Sequence, residues 1–333
     1  MNILITGIHG FVGTNLVHAL KAKHTIYGLD IVTPIKDGVV KTYGWSELDA
    51  LPPIDAVIHL AGKAHDTKNQ TVAQTYFDIN TGLTQKIYDW FRASSASKFI
   101  FFSSVKAAAD KVEGILTEDV VPTPLGPYGE SKIAAEKYIM GQQTTDDRQQ
   151  FSERQNSNSQ TFKPATLNTK AETQNVFILR PCMIHGPGNK GNLNLLYNVV
   201  KRGIPYPLGA FENRRSYCSI DNLSFVINGL IENQVASGIY NVCDDETVST
   251  NELIELISIS LGRKSRIWRF NKKAIEFAAK AGSVLHLPLN TERLQKLTEN
   301  YVVSNAKIKK ALGITQMPVQ ASKGLQRTLK SFE

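Results

Sequence analysis

The stretch that decides the fold is Asn2-Ile3-Leu4-Ile5-Thr6-Gly7-Ile8-His9-Gly10-Phe11-Val12-Gly13. Its first five residues read as a buried β-strand. Val12, Leu16, Val17 and Leu20 then recur at helical spacing, so the glycines lie where a strand feeds a helix. At such a crossing, backbone N–H groups can approach a pyrophosphate with the positive helix terminus behind them, and side chains on Gly7, Gly10 or Gly13 would block that approach. A glycine trio alone is a weak signal. It gains weight because the next β-rich run, Thr25 to Leu29, ends on Asp30. A carboxylate there can accept hydrogen bonds from the adenosine ribose hydroxyls and would repel a 2′-phosphate, which favours NAD over NADP. Capping of a strand end or turn is the plainer alternative for Asp30.

Working outward, a third β-rich run, Ala56 to Leu60, ends at Ala61-Gly62, and a fourth, Lys98 to Phe102, ends at Ser103-Ser104. Val72 to Phe91 between them supports a long helix. Strands alternating with helices imply an α/β fold with a Rossmann-type, doubly wound parallel sheet. A helix is expected from Tyr128 to about Met140. The next segment, Gly141 to Asn175, is rich in Gln, Thr, Asn and Ser and reads as an inserted, mobile surface segment. Val176 to Leu179 resumes a buried strand. Residues 1–180 are therefore expected to form the dinucleotide-binding domain, with its insertion at 141–175.

From residue 181 to 333 the pattern predicts a smaller, helix-rich substrate portion whose elements interleave with the first. Helices are expected at Leu195 to Arg202 and Leu223 to Glu232, and a strand at Gly238 to Val242. Ser249 with Glu252 three residues on marks a capped helix start. Further helical patterns cover Lys272 to Ala281, Thr291 to Leu297, Asn305 to Leu312 and Val319 to Leu329.

A 333-residue chain with 42% hydrophobic residues can bury a sizeable core, and no apolar run is long enough to span a bilayer. MNILITG enters a strand directly with no export signal, which leads to a cytoplasmic expectation. Cys182, Cys218 and Cys243 are too few and too scattered for a disulfide framework, so they are expected to be reduced. The net charge of +8 could suit nucleic acid, a membrane surface or a phosphorylated substrate. The cations are dispersed, with Arg263 to Arg269 the densest patch, so nucleic acid is not expected as a partner.

Tyr128 and Lys132 stand four apart at a helix start, hence on one face. A cation beside a phenol favours phenolate, the form a general base needs. Ser103-Ser104 closes a strand at the edge where parallel sheets place their ligand crevice. Together, Thr6 to Gly13, Asp30, His59 to Gly62, Asn80, Ser103-Ser104, Pro127 to Lys132 and Arg180-Pro181 resemble successive landmarks of the NAD-dependent epimerase/dehydratase family, whose best-known type is UDP-glucose 4-epimerase. The resemblance covers nearly the whole chain except the insertion. It implies that Ser104 polarises the substrate oxygen, that Tyr128 exchanges its proton, and that Lys132 holds the nicotinamide ribose and lowers the tyrosine pKa. It assigns Gly7, Gly10, Phe11, Val12, Gly13, Asp30, Ala61, Gly62 and Asn80 to the NAD site, together with Tyr128 and Lys132. A homodimer is implied as well.

On the substrate side, Asn192, Gly203, Pro205 and Arg215 resemble the family's clamp on a nucleotide-sugar diphosphate, probing for a UDP-linked partner. His185 replaces the tyrosine common in this family segment, and no second ligand at suitable spacing makes it a metal site, so no metal is expected. Asp221 is expected to cap the following helix. Where the family's dehydratases carry an Asp-Glu pair after the catalytic hydroxyl, this chain has Val105 and Lys106; valine cannot do acid-base chemistry, which disfavours 4,6-dehydration. Lys106 could contact the sugar or phosphate. Epimerisation at carbon 4 and reduction of a 4-keto-6-deoxy sugar both fit the same trio, and Asp30 leans toward epimerisation. A non-catalytic NAD-sensing regulator is the reading from another class.

Overall fold

The computed structural model describes residues 1–64, 72–156, 174–189, 191–284 and 290–332, with the backbone alone at 142–156, 284 and 296. In chain order the elements begin with β1 (Asn2–Thr6), α1 (Phe11–Leu20), β2 (Thr25–Leu29), β3 (Thr42–Tyr43), β4 (Ala56–His59), α2 (Ala73–Tyr76), a π-helical turn (Phe77–Gly82), α3 (Leu83–Ala93), β5 (Lys98–Phe102) and α4 (Val105–Ala108). There follow β6 (Ile115–Leu116), α5 (Pro127–Asn156), β7 (Asn175–Pro181), β8 (Met183–His185), α6 (Asn192–Lys201), β9 (Arg215–Ser219), α7 (Ile220–Glu232) and β10 (Gly238–Val242). The last elements are β11 (Thr247–Val248), α8 (Thr250–Ser260), α9 (Lys272–Val284), α10 (Thr291–Thr298), β12 (Val302–Val303), α11 (Ala306–Leu312) and α12 (Ala321–Lys330).

Two compact units arise. The first comprises residues 1–110, 121–180 and 227–240, the second residues 111–120, 181–226 and 241–333. In the first, a seven-stranded sheet has the order β10-β7-β5-β4-β1-β2-β3. Strands β1, β2, β3, β4, β5 and β7 run parallel. Each central strand is a near-continuous apolar run because both faces of a parallel sheet are covered by helices. Leu4, Val57, Phe99, Phe101 and Ile178 pack in one core with Ile87, Tyr88 and Phe91 of α3 and Ala135 and Ile139 of α5. The chain leaves β1 toward β2 and β3, then returns to β4 on β1's other side. This reversal opens a crevice beyond the carboxyl ends of β1 and β4.

The long helix expected over 72–91 is present but contains the π-helical turn. The helix begun at Tyr128 does not stop near Met140: α5 continues to Asn156. Residues 142–156 contain neither Gly nor Pro, and a run of Gln, Glu and Arg sustains a helix without an apolar face. The first part of the expected insertion, up to Asn156, is thus helical, while residues 157–173 of it lie outside the described residues.

The second unit is built around β11-β9-β8 and a core in which Leu193, Tyr197, Tyr217, Leu253, Ile257 and Leu325 meet. The capped start of α8 is realised in full: Ser249 Oγ accepts from the Glu252 N–H and Glu252 Oε2 accepts from the Ser249 N–H. Asp221 sits within the first turn of α7 instead of capping it, and its carboxylate pairs with Arg327 at 2.6 Å. The three cysteines, far apart in sequence, are all buried free thiols; Cys182 hydrogen-bonds Cys243, and burial pushes Cys182 and Cys218 well up. Among the described residues no helix is long and apolar enough to cross a membrane.

Candidate active site

At the end of β1, Gly7 turns the chain with φ of +66°, a region L side chains avoid. A Cβ on Gly7 would stand 2.9 Å from the Ala61 nitrogen, and one on Gly13 would stand 2.7 Å from the carbonyl oxygens of Gly7 and Ile8. The turn is thus held close against the end of β4. Gly10 precedes α1, and no side chain caps that helix. Its first N–H groups, at Phe11, Val12 and Gly13, are the ones a helix leaves for an anion. Asp30, at the end of β2, accepts hydrogen bonds from the N–H groups of His9 at 3.0 Å and Ile31 at 2.7 Å. Its carboxylate is fixed beside the glycine turn.

Beneath this turn lies a polar chain in the buried sheet. Thr6 Oγ1 accepts from the N–H groups of Leu60 and Ala61, so its own proton goes to His59 Nδ1 at 2.6 Å. That fixes the proton on Nε2, which donates to Thr84 Oγ1 at 2.9 Å, and Thr84 in turn donates to the Asn80 carbonyl. His59 is wholly buried, and desolvation, aided by the Lys132 charge, lowers its pKa to about 3. The imidazole is neutral. Asn80, in the π-helical turn, is also fully buried: its Oδ1 accepts from the Lys63 N–H, and its Nδ2 donates to the Lys63 carbonyl and to Ser131 Oγ. It holds the 61–63 segment against α5 and shapes the wall from behind instead of lining it.

Helix α5 brings the tyrosine and lysine. Gly129 lets α5 approach α4, since a Cβ there would lie 2.5 Å from the Lys106 carbonyl oxygen. Tyr128 hydrogen-bonds the Ser104 hydroxyl, and its ring meets Tyr76 edge-on at 6.4 Å. Burial raises the Tyr128 pKa; the Ser104 hydrogen bond pulls it down and Tyr76 pushes it up. Lys132 Nζ donates to the Phe102 carbonyl at 2.7 Å, and a Cβ on Gly62 would approach that nitrogen to 3.1 Å. Desolvation lowers Lys132 to about 8, with Glu136 opposing. Burial, Ser104 and Tyr76 are the influences on the Tyr128 phenol, and the lowering that the resemblance gives to Lys132 is not among them.

Sequence reading missed Glu136 and Tyr76. Glu136 is fully buried, accepts from the Ser103 hydroxyl, and forms a two-pronged ion pair with Arg180. The signal was the continuation of the Tyr128 and Lys132 spacing by one more helical turn. Lys106, by contrast, does not face the Ser104–Tyr128 pair with a free head: its Nζ donates to the Asp110 carbonyl at 3.0 Å and lies 3.3 Å from Asp110 Oδ1.

Asn192 and Arg215 belong to the second unit. Asn192 is exposed in the first turn of α6. Arg215 begins β9, and its charge acts on the phenols of Tyr206 and Tyr217, the latter pushed up to about 12 by burial. His185 is entirely buried, with Nδ1 2.9 Å from Thr328 Oγ1 and Nε2 3.5 Å from Asp244 Oδ2. It is a packing residue of this unit.

The profile of the NAD dependent epimerase/dehydratase family matches residues 3–151. A UDP-glucose 4-epimerase of Vibrio cholerae is 30% identical over 283 residues, covering 79% of this chain and 76% of the relative. An N-acetyl-alpha-D-glucosaminyl-diphospho-ditrans,octacis-undecaprenol 4-epimerase of Escherichia coli O157:H7 is 26% identical and spans 99% of this chain and 94% of its own length. A GDP-6-deoxy-D-mannose reductase of Pseudomonas aeruginosa is 26% identical over 274 residues, 77% of this chain and 79% of the relative. Among solved structures, MoeE5 in complex with UDP-glucuronic acid and NAD superposes with a TM-score of 0.72 at 18% identity, over 100% of this chain and 99% of that one. The chain belongs to the NAD dependent epimerase/dehydratase family. It is an NAD-dependent enzyme of the sugar-nucleotide epimerase and reductase class.

Proposed function

We propose that the enzyme is a 4-epimerase of a UDP-linked hexose or N-acetylhexosamine, working through a transient 4-keto sugar. The observation that carries this reading is the hydrogen bond between Ser104 and Tyr128, with Lys132 on the next turn of the same helix. The glycine turn, the uncapped start of α1 and the fixed Asp30 carboxylate fit NAD. When bound, NAD supplies the reversible hydride acceptor for the sugar carbon. Ser104 Oγ holds the 4-oxygen, and Tyr128 Oη takes its proton and later returns it. Lys132 supplies positive charge beside the phenolate as it forms. Asn192 and Arg215 contact the diphosphate, Arg215 through its planar fork. Polysaccharide assembly, the cytoplasm and a homodimer complete the proposal.

A second reading, reduction of a nucleotide 4-keto-6-deoxy sugar, is favoured by the similarity to the Pseudomonas aeruginosa reductase. The two separate in one experiment. Purified enzyme is analysed for retained NAD and then given UDP-glucose, UDP-N-acetylglucosamine or N-acetylglucosaminyl-diphospho-undecaprenol without added cofactor. Formation of the 4-epimer with no net redox change is expected. A requirement for stoichiometric NADH or NADPH would overturn the epimerase reading.

A further inference from the structure

The segment from Arg263 to Lys280 in the second unit plays no part in the chemistry above, yet its surface is unusual. It contains seven lysines and arginines (Arg263, Lys264, Arg266, Arg269, Lys272, Lys273, Lys280) and one acidic residue, Glu276. Among these cations stand large apolar side chains facing water: Trp268 is 52% exposed, Phe270 48% and Phe277 75%. The aromatic pair is not loosely attached. Trp268 N donates to the Tyr206 carbonyl, Tyr206 N to the Arg266 carbonyl, and Gly209 N to the Trp268 carbonyl, so residues 266–268 form a backbone-bonded ribbon. Ile267 turns inward on Gly209, where a Cβ would stand 2.3 Å from its side chain. The alternation of an extended strand then sends Arg266, Trp268 and Phe270 to the other side, with the Trp268 and Phe270 rings edge-to-face at 5.8 Å.

Helix α9 continues the pattern. Ile275 and the buried Ala279 pack on a core with Leu208 and Leu294, which leaves Lys273, Phe277 and Lys280 at i, i+4 and i+7 on the outward face. Beside the ribbon, a cavity of about 540 Å³ has an aliphatic floor that includes Val200, Ile204 and Ile254 and a rim of Arg263, Lys264 and Arg266. Arg263 and Arg266 are steadied there by hydrogen bonds to the carbonyls of Lys201 and Gly203.

We propose that this surface docks the enzyme on an anionic lipid bilayer, with Trp268 and Phe270 entering the interface and the surrounding cations meeting lipid phosphates. Aromatic and aliphatic groups placed between lysines and arginines complement a layer of negative headgroups over hydrocarbon. Single-stranded nucleic acid would also be drawn by the charge and could stack on the exposed rings, but the branched aliphatic floor of the adjoining cavity offers a base nothing to stack on and suits hydrocarbon.

The test is co-sedimentation of the full chain with phosphatidylcholine vesicles, with and without phosphatidylglycerol. Binding to the phosphatidylglycerol vesicles alone is expected, accompanied by a blue shift of Trp268 emission. The variant Trp268→Ser/Phe270→Ser/Phe277→Ser should bind at least about tenfold more weakly, and Lys264→Glu/Arg266→Glu should do the same. Since these side chains are exposed, both variants should keep the parent's urea midpoint and NAD content. Absence of binding to anionic vesicles, or undiminished binding by either variant, overturns the proposal. So does tighter, aromatic-dependent binding to polyuridylate, or a lower solution mass of the triple variant without lipid, which would mean a second copy of the chain covers this face.

Discussion

Arg180 grips Glu136 with two parallel hydrogen bonds, Nε to Oε1 at 3.0 Å and Nη2 to Oε2 at 2.6 Å, and neither side chain reaches water. The pair ties the end of β7 to α5, the helix that carries Tyr128 and Lys132. Breaking a buried pair from one side strands a charge, so Arg180→Met is expected to lower unfolding stability by about 3–5 kcal/mol. The double variant Arg180→Met/Glu136→Leu should recover part of that loss. Urea unfolding of the parent, single and double variants checks both statements.

Tyr128→Phe removes the oxygen proposed to exchange the substrate proton while keeping the ring that meets Tyr76. Turnover should fall by about 10²- to 10⁴-fold with retained NAD unchanged. Ser104→Ala should lower kcat as well. Parent-like activity of Tyr128→Phe on every nucleotide sugar tested would remove the phenol from the mechanism.

His59 ties stability to acid. Its folded pKa of about 3 lies below its ordinary value of 6.5, so between these pH values the unfolded chain holds a proton that the folded chain refuses. Stability is complete above pH 6.5 and drains away as pH falls toward 3, by on the order of 4 kcal/mol from this one group. His59→Gln should show a flatter acid limb in denaturant titrations taken across that range.

Lys132 works in the opposite part of the scale. Its folded pKa of about 8 lies below the ordinary 10.5, so unfolding takes up a proton in that window and the folded state gains stability as pH rises through it. The parent should therefore gain on the order of 3 kcal/mol relative to Lys132→Met between pH 8 and 10.5. Urea midpoints at the two ends of the window give the comparison.

Glycine replacements should sort by contact. Gly13→Ala drives a methyl against two backbone oxygens 2.7 Å away and should reduce both NAD content and melting temperature. Gly141→Ala meets nothing within 4 Å inside helix α5 and should raise stability by up to about 1 kcal/mol. Released nucleotide measured by absorbance, together with thermal melts, distinguishes the two.

Short-range signals carried most of the fold and the placement of the proposed catalytic trio. The strand-turn-helix at Asn2 to Leu20, the Ser249–Glu252 cap and the Tyr128–Lys132 spacing each depend on neighbours a few residues apart, and all stand in the structure as local geometry. What stayed hidden depended on distant partners. Glu136 looks like a solvated helix carboxylate until Arg180 arrives from 44 residues away. His185 could not be told from a substrate-facing side chain until Thr328 enclosed it. The extent of α5 was missed because its apolar stripe ends long before its backbone hydrogen bonds do.

The π-helical turn at Phe77–Gly82 makes this stretch unusually sensitive to chain length. Losing one residue there would let the helix close into regular α geometry, yet it would swing Asn80 by roughly 100° about the axis, away from Lys63 and Ser131. An insertion or deletion at that point would uncouple the 61–63 segment from α5, because Asn80 reaches both Lys63 and Ser131 through the hydrogen bonds described above.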